Sequence, residues 1–401
     1  MLQFCEDATF WEHRDANGIV VERPVILSCD AGRRKWNTVM GPLHDPEPRG
    51  SLWLYVSEPL VTDGRHKSAL PSRKRAHPIF LANYPSNHDF HPLGIAIWPS
   101  HGGNSSNLFV VNHARKRTVI EQFVLSPEKP TEAVHIRTIM NPYFLSPNAL
   151  ALTSPTSFYV TNDHLMTRRL PHLLGHILPE IESTLALPLA FVLHVTLNDS
   201  TPNKDSIASV QFAKMFTSFP NGIALSPSGD EVAIACSPMG QVGIFRRDPT
   251  TNALTPKYTV SVPFLADNVH YKKEHDGPAS LIVAGHPNLP SLKKVAIGVT
   301  GAVAPSWVVA VVPKSEDDKN LRTTFDSEAP TSAATRITKD GVGWTLKTLF
   351  QSGGDEENGG FGGSATGLVD PDSGALWVTG LYAREGAIMC KRPGLTRSKE
   401  A

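Results

Sequence analysis

The chain has 401 residues, 40% hydrophobic and 19% charged, an ordinary globular composition with enough apolar residues for a sizeable core. Lys plus Arg and Asp plus Glu both number 38, so the formal net charge is zero and no electrostatic case exists for nucleic acid or an anionic membrane surface as partner. Four cysteines (Cys5, Cys29, Cys236, Cys390) are too few and too scattered for a disulfide-dense scaffold or a CxxC zinc site.

In chain order, the opening MLQFCED is polar rather than a charged-then-apolar signal peptide, and no run of 18 apolar residues follows. This predicts a cytoplasmic protein with no transmembrane segment, or a secreted or membrane-associated one if an N-terminal piece is missing. Glu6-Asp7, Val25 to Leu27 and Leu52 to Tyr55 predict a first hairpin, and Arg33-Arg34-Lys35 and Arg73-Lys74-Arg75 read as solvated loop clusters. A repeat then sets in. A polar or small residue opens an aliphatic strand, a turn follows, and a second strand returns. The copies begin at Pro92, Pro147, Pro220, Asp267 and Ala365, and their second strands begin at Leu108, Phe158, Glu231, Leu281 and Ala375. Between the second and third copies, residues 165–195 carry leucines at helical spacing, broken by prolines, which predicts a helical, lid-like insertion. Residues 314–362 are polar and rich in Gly, Ser and Thr, and predict an exposed, flexible insertion.

Short hairpins repeated in this way cannot bury both faces alone, and radial stacking around an axis solves the problem. The predicted fold is all-β: a six-bladed β-propeller as one domain over residues 1–401, with its helical insertion near the tunnel mouth. Polar residues recur at like places in the copies. Asn148, Asn221 and Asn268 open inner strands, Asn162-Asp163 closes a second strand, and Asp267 stands beside Asn268 as Glu6 does beside Asp7. Singly, each is the kind of residue that caps a turn. Together they form an all-oxygen set able to converge at an axis, which suits Ca²⁺ rather than zinc. No Gly-x-Ser-x-Gly elbow or phosphate loop is present, against a serine hydrolase or a nucleotide enzyme.

The strings VVNH (Val110 to His113), FYVTNDH (Phe158 to His164), FPNGIALSPSG (Phe219 to Gly229), LADN (Leu265 to Asn268) and GHPN (Gly285 to Asn288), with Cys390, resemble the serum paraoxonase/arylesterase family in order and approximate spacing. The resemblance runs from Glu6 to about Cys390. It implies a six-bladed propeller holding two calcium ions and hydrolysing lactones and aryl or carboxylic esters. Carried over residue by residue, the catalytic ion would be held by Glu6, Asn162, Asn221, Asp267 and Asn268. The structural ion would be held by Asp7, Asp163 and the carbonyl of Ile95.

Three departures accompany the resemblance. The family's first active-site histidine falls in a PHG string that here reads Pro92-Leu93-Gly94, while its partner is retained as His113. His91 would share a strand face with Leu93 only in an extended stretch, and is not counted as a substitute. The family's N-terminal anchor and its cysteine partner for Cys390 have no counterpart, and the insert around 314–362 is longer. The expected base is therefore His113, Asp267 or Glu6, acting on a small ester or lactone with reduced activity. Two alternatives stand beside this reading: a catalytically impaired, calcium-stabilised binding propeller, and a strictosidine-synthase-like propeller enzyme.

Overall fold

The structure, a computed structural model, describes residues 2–56, 76–198, 206–320, 324–325 and 342–390. Strands dominate it, and they group into six radial blades in chain order. The innermost strands are Cys5–Phe10, Pro92–Ile97, Pro147–Ser154, Pro220–Leu225, Leu265–Lys272 and Ser364–Val369, each followed outward by antiparallel strands of its own blade. Neighbouring inner strands pack side by side around the axis, the last against the first. The chain is a six-bladed β-propeller. The outer strands of blades one and two, Ala76–Ala82 and Lys129–Ile139, also pair in parallel, so those two blades share one eight-stranded sheet.

Each blade alternates side chains between its two faces, and neighbouring blades interdigitate. Accordingly, each of the six blade-to-blade interfaces carries its own apolar cluster. At the closing seam, Val25, Leu27 and the Cys5–Cys29 pair of blade one meet Leu368 and Trp377 of blade six. Those two cysteines form a disulfide across adjacent strands, which nothing in the scattered cysteine pattern announced. Cys236 and Cys390 are free thiols, and burial pushes the Cys236 thiol up to about 11.

Two expectations need correction. The 165–195 segment is not helical throughout: only His172–Thr184 (α1) is helix, while Ala190–Leu197 is the third strand of blade three. The leucine spacing that suggested helix there is also an almost continuous apolar run, which suits a strand buried on both faces. Within 314–362, Trp344–Ser352 is an outer strand of blade five paired with Ser306–Pro313; residues 321–323 and 326–341 lie outside the described residues. A second helix, Leu289–Ala296 (α2), follows the Ser280–His286 strand, and the Asn288 side chain caps it by accepting from Ser291 N at 3.0 Å. No described helix is long and apolar enough to cross a membrane.

Candidate active site on the propeller axis

All six inner strands break register near their first residues: between Cys5 and Asp7, Pro92 and Ile95, Pro147 and Leu150, Pro220 and Ile223, Ala266 and Val269, and Ser364 and Gly367. A bulge adds a residue and re-aims the side chains beside it. The residues at the bulges are Glu6, Leu93, Asn148, Asn221, Asp267-Asn268 and Thr366, so the repeated polar positions are places where the ladder opens. Glycine follows the bulge residue where the strands come closest. A Cβ on Gly222 would sit 2.5 Å from the Asn268 Cα, and one on Gly94 would sit 2.2 Å from the Asn148 carbonyl oxygen.

Carbonyls freed at the bulges take donors from the neighbouring blade. Ser28 Oγ donates to Leu93 O (2.5 Å), Thr161 Oγ1 to Asn221 O (2.8 Å), Ser237 Oγ to Ala266 O, and Thr379 Oγ1 to Glu6 O (2.8 Å). His113 completes the series between blades two and three, with Nε2 at 2.8 Å from Pro147 O. Its Nδ1 then accepts from the Thr38 hydroxyl at 2.5 Å, so both ring nitrogens are engaged. Burial lowers its pKa to about 4, and the ring is neutral at ordinary pH.

At one end of the axis, these residues border a cavity that leaves about 130 Å³ open to the centres of water molecules, room for several waters or one compact organic group. Glu6, Asp163, Asn148, Asn221, Asp267 and His286 form its polar floor, and Leu93, Trp36, Val39, Phe219 and Leu292 its apolar walls. Above, α1 and α2 contribute Glu180 and Lys293, whose side chains pair at 2.6 Å. Asn162 and Asn268 do not reach the wall. Asn162 Oδ1 accepts from the backbone of Leu145 and Ser146, and Asn268 donates its amide to Glu6 Oε1 and Thr366 Oγ1, each at 2.9 Å. Asp7 lies behind Glu6, with Oδ2 accepting from Ile95 N (2.9 Å) and Oδ1 from Ala8 N and Thr366.

Three polar residues of the site are not picked out by the sequence: Arg33 reads there as solvated, His91 is set aside, and Asp30 is passed over. Arg33 is not a solvated surface charge: it is buried on the cavity wall and donates to Pro92 O at 3.2 Å. His91 lines the cavity too, its ring stacked on Trp36 and its Nδ1 3.0 Å from buried Asp30. All three come from segments outside the repeat, where no pattern singles them out.

The electrostatics favour a bound cation. Of the buried groups lining the cavity, Glu6, Asp30, Asp163 and Asp267 are carboxylates and Arg33 is the one guanidinium among the described residues. Burial first, then the charges of Asp7 and Asp267, push Glu6 well above the usual carboxylate range, with Arg33 and the Asn268 hydrogen bond offsetting part of the rise. Buried acceptor oxygens Glu6 Oε2, Asn148 Oδ1 and Asn221 Oδ1 have no hydrogen-bond partner, and such oxygens are costly unless a donor or cation satisfies them. No three His, Cys, Asp or Glu side chains among the described residues converge as a metal site by themselves. Amide oxygens would have to complete the set, as a hard cation permits. The Asp7 and Asp163 carboxylates lack this mark. Asp163 accepts from Asn148 (3.1 Å) and lies 3.1 Å from His164 Nδ1, and although burial raises its pKa, the neighbouring His164 and these hydrogen bonds hold it below the ordinary range.

Fold and site together define a propeller with an acidic, half-apolar pocket on its axis. The Arylesterase family model matches residues 59–339, and the chain belongs to that family. It is 28% identical over 199 residues to serum paraoxonase/arylesterase 1 of Mus musculus (50% of each chain) and 27% identical over 215 residues to serum paraoxonase/lactonase 3 of Oryctolagus cuniculus (53% of this chain, 54% of the other). The chain thus spans about half the length of the curated relatives it matches. Among solved structures, the periplasmic gluconolactonase PpgL of Pseudomonas aeruginosa aligns with a TM-score of 0.40 at 10% identity, over 92% of this chain and 78% of that one.

Proposed function

We propose that the chain is a calcium-dependent hydrolase of lactones and aryl or carboxylic esters, acting in the axial cavity. The observation that carries this reading is the trio of unpartnered buried oxygens on Glu6, Asn148 and Asn221, in a pocket where carboxylates outnumber cations. Glu6, Asn221 and Asp267 would hold one Ca²⁺, with Asn268 supporting Glu6 from behind through its amide. When bound, the ion supplies Lewis acidity toward a carbonyl oxygen. The protein's own groups do the rest. Leu93, Trp36 and Phe219 receive the hydrocarbon part of the substrate and thin the water around the carbonyl. His286 holds Asp267 through Nε2 at 2.8 Å, fixing the carboxylate's direction. Arg33 offers its charge to the product carboxylate.

The resemblance also implies a second ion at Asp7, Asp163 and the Ile95 carbonyl, though both carboxylates already take donors from the protein. A calcium titration by calorimetry distinguishes one site from two. Turnover of phenyl acetate and a δ-lactone, present with calcium and abolished by EDTA, is the expected result. Turnover indifferent to EDTA removes the cation, and no turnover at all removes the hydrolase. A binding propeller then takes its place, for which Leu93, an apolar residue on the cavity wall, is the favouring observation.

A further inference from the structure

Four histidines stand at or beside the axial cavity, and their partners separate them. His113 has both nitrogens engaged, and so has His164, between Asp163 and Ser183 Oγ at 2.6 Å. His286 gives Nε2 to Asp267 and keeps Nδ1, the nitrogen next to its own backbone, unpartnered. His91 is the reverse. Its Nδ1 meets Asp30 Oδ2 at 3.0 Å, and its outer nitrogen Nε2 is buried without a partner. Asp30 is itself fixed, since its Oδ1 accepts from Gly32 N at 2.9 Å. The His91 backbone is held by the Asn112 side-chain oxygen at 2.8 Å, and its ring lies on Trp36 with centroids 5.9 Å apart.

Resting on the hydrolase reading, we propose that His91 is the proton acceptor for water at this site and that Asp30 is its positioning residue. A carboxylate only accepts hydrogen bonds, so Nδ1 carries the ring proton and the Nε2 lone pair is left free. In the reaction, a water oxygen bonds to the ester or lactone carbonyl carbon while its proton passes to His91 Nε2. The tetrahedral adduct then collapses, the carbon–alkoxy oxygen bond breaks, and the same proton passes from Nε2 to the departing oxygen. Water and ester give acid and alcohol, with no other reactant.

The test combines kinetics with a readout that needs no turnover. His91→Gln should lower kcat for phenyl acetate by about 10²-fold or more, the usual worth of a positioned base, with KM nearly unchanged. Added imidazole should restore part of the rate to His91→Ala. In protein with ¹⁵N-labelled histidine, the His91 ring, assigned through its contact with the Trp36 indole, should be protonated at Nδ1, and Asp30→Asn should abolish that preference. A parent ring protonated at Nε2 overturns the proposal even if the variants fold poorly. An active parent with parent-like kcat in folded His91→Gln overturns this inference alone, whereas an inert parent overturns it together with the hydrolase reading.

Discussion

Glu6 concentrates the physical demands of the site. A carboxyl whose folded pKa lies above its unfolded value binds its proton more tightly when folded. Its contribution is therefore full below about 4.5 and is lost as pH rises through the folded value. Metal-free protein should lose melting temperature over that rise, and Glu6→Gln should flatten the slope; a parallel slope in the variant would assign it to other groups. By the same linkage, a cation must displace the proton from Glu6. Calcium titrated in two buffers of different ionisation enthalpy should give different heats at a pH where the metal-free carboxyl is protonated, and equal heats would count against Glu6 as a ligand. Much of this residue-scale picture was legible in the sequence, because Asn148, Asn221 and Asp267 recur at one place in the repeat. Arg33, Asp30 and His91 were not. A short basic run reads as solvent-facing unless a nearby wall is known, and a histidine before a proline carries no period.

At the scale of elements, the inner strands were placed closely by the aliphatic repeat, but their bulges were not. Alternation in an unbroken ladder sends the two residues of an adjacent pair to opposite faces, and by itself it does not say which of Asn162-Asp163 or Asp267-Asn268 takes the axis. The break between Ala266 and Val269 leaves Asp267 on the cavity and Asn268 bonded to Glu6, while at the end of the Ser157–Asn162 strand Asp163 lines the cavity and Asn162 is bonded to backbone. Blade two has a polar element of its own. Glu121, buried on the Val119–Ser126 strand, receives Asn112 at 2.8 Å, Thr138 at 2.6 Å and Tyr84 at 3.2 Å, and meets His88 at 2.8 Å and His135 at 3.0 Å. Burial raises its pKa, but the hydrogen bonds from His135, His88, Thr138 and Asn112 outweigh that and lower it to about 2. The hydrogen bond to Glu121 raises His88 in turn. Glu121 therefore contributes above about 4.5 and loses its contribution as pH falls toward 2, while His88 contributes below about 6.5 and loses its share as pH rises through its folded value. Glu121→Gln should cost about 3–5 kcal/mol, as breaking a buried ion pair does. The melting difference between parent and variant should be greatest between those two limits and narrow on either side. A difference independent of pH would make the network a set of neutral hydrogen bonds.

On the scale of the whole molecule, six apolar interfaces share the work of the core, and composition with repeat spacing was enough to expect that arrangement. What they could not show is how the ring is closed. The disulfide joins Cys5 to Cys29 inside blade one, across a separation of 24 residues, and does not tie the last blade to the first. Its removal by Cys5→Ala with Cys29→Ala should cost about 3 kcal/mol through loop entropy in the unfolded chain, and an unchanged melting temperature would show that the seam, not this bond, governs unfolding. The seam itself is fastened by the Leu368 and Trp377 cluster and by two hydroxyls at the carbonyl of Glu6: Thr379 donates to it at 2.8 Å, and Thr366, 2.9 Å away, shares its proton between that carbonyl and Asp7 Oδ1. One residue is thus both the latch of the ring and the wall of the pocket. Breathing at the latch must loosen the pocket, and whatever fills the pocket must slow the breathing. Occupancy at the axis should therefore be readable from outside, as slower hydrogen exchange at the backbone amides of the Ser364–Val369 and Leu376–Gly380 strands.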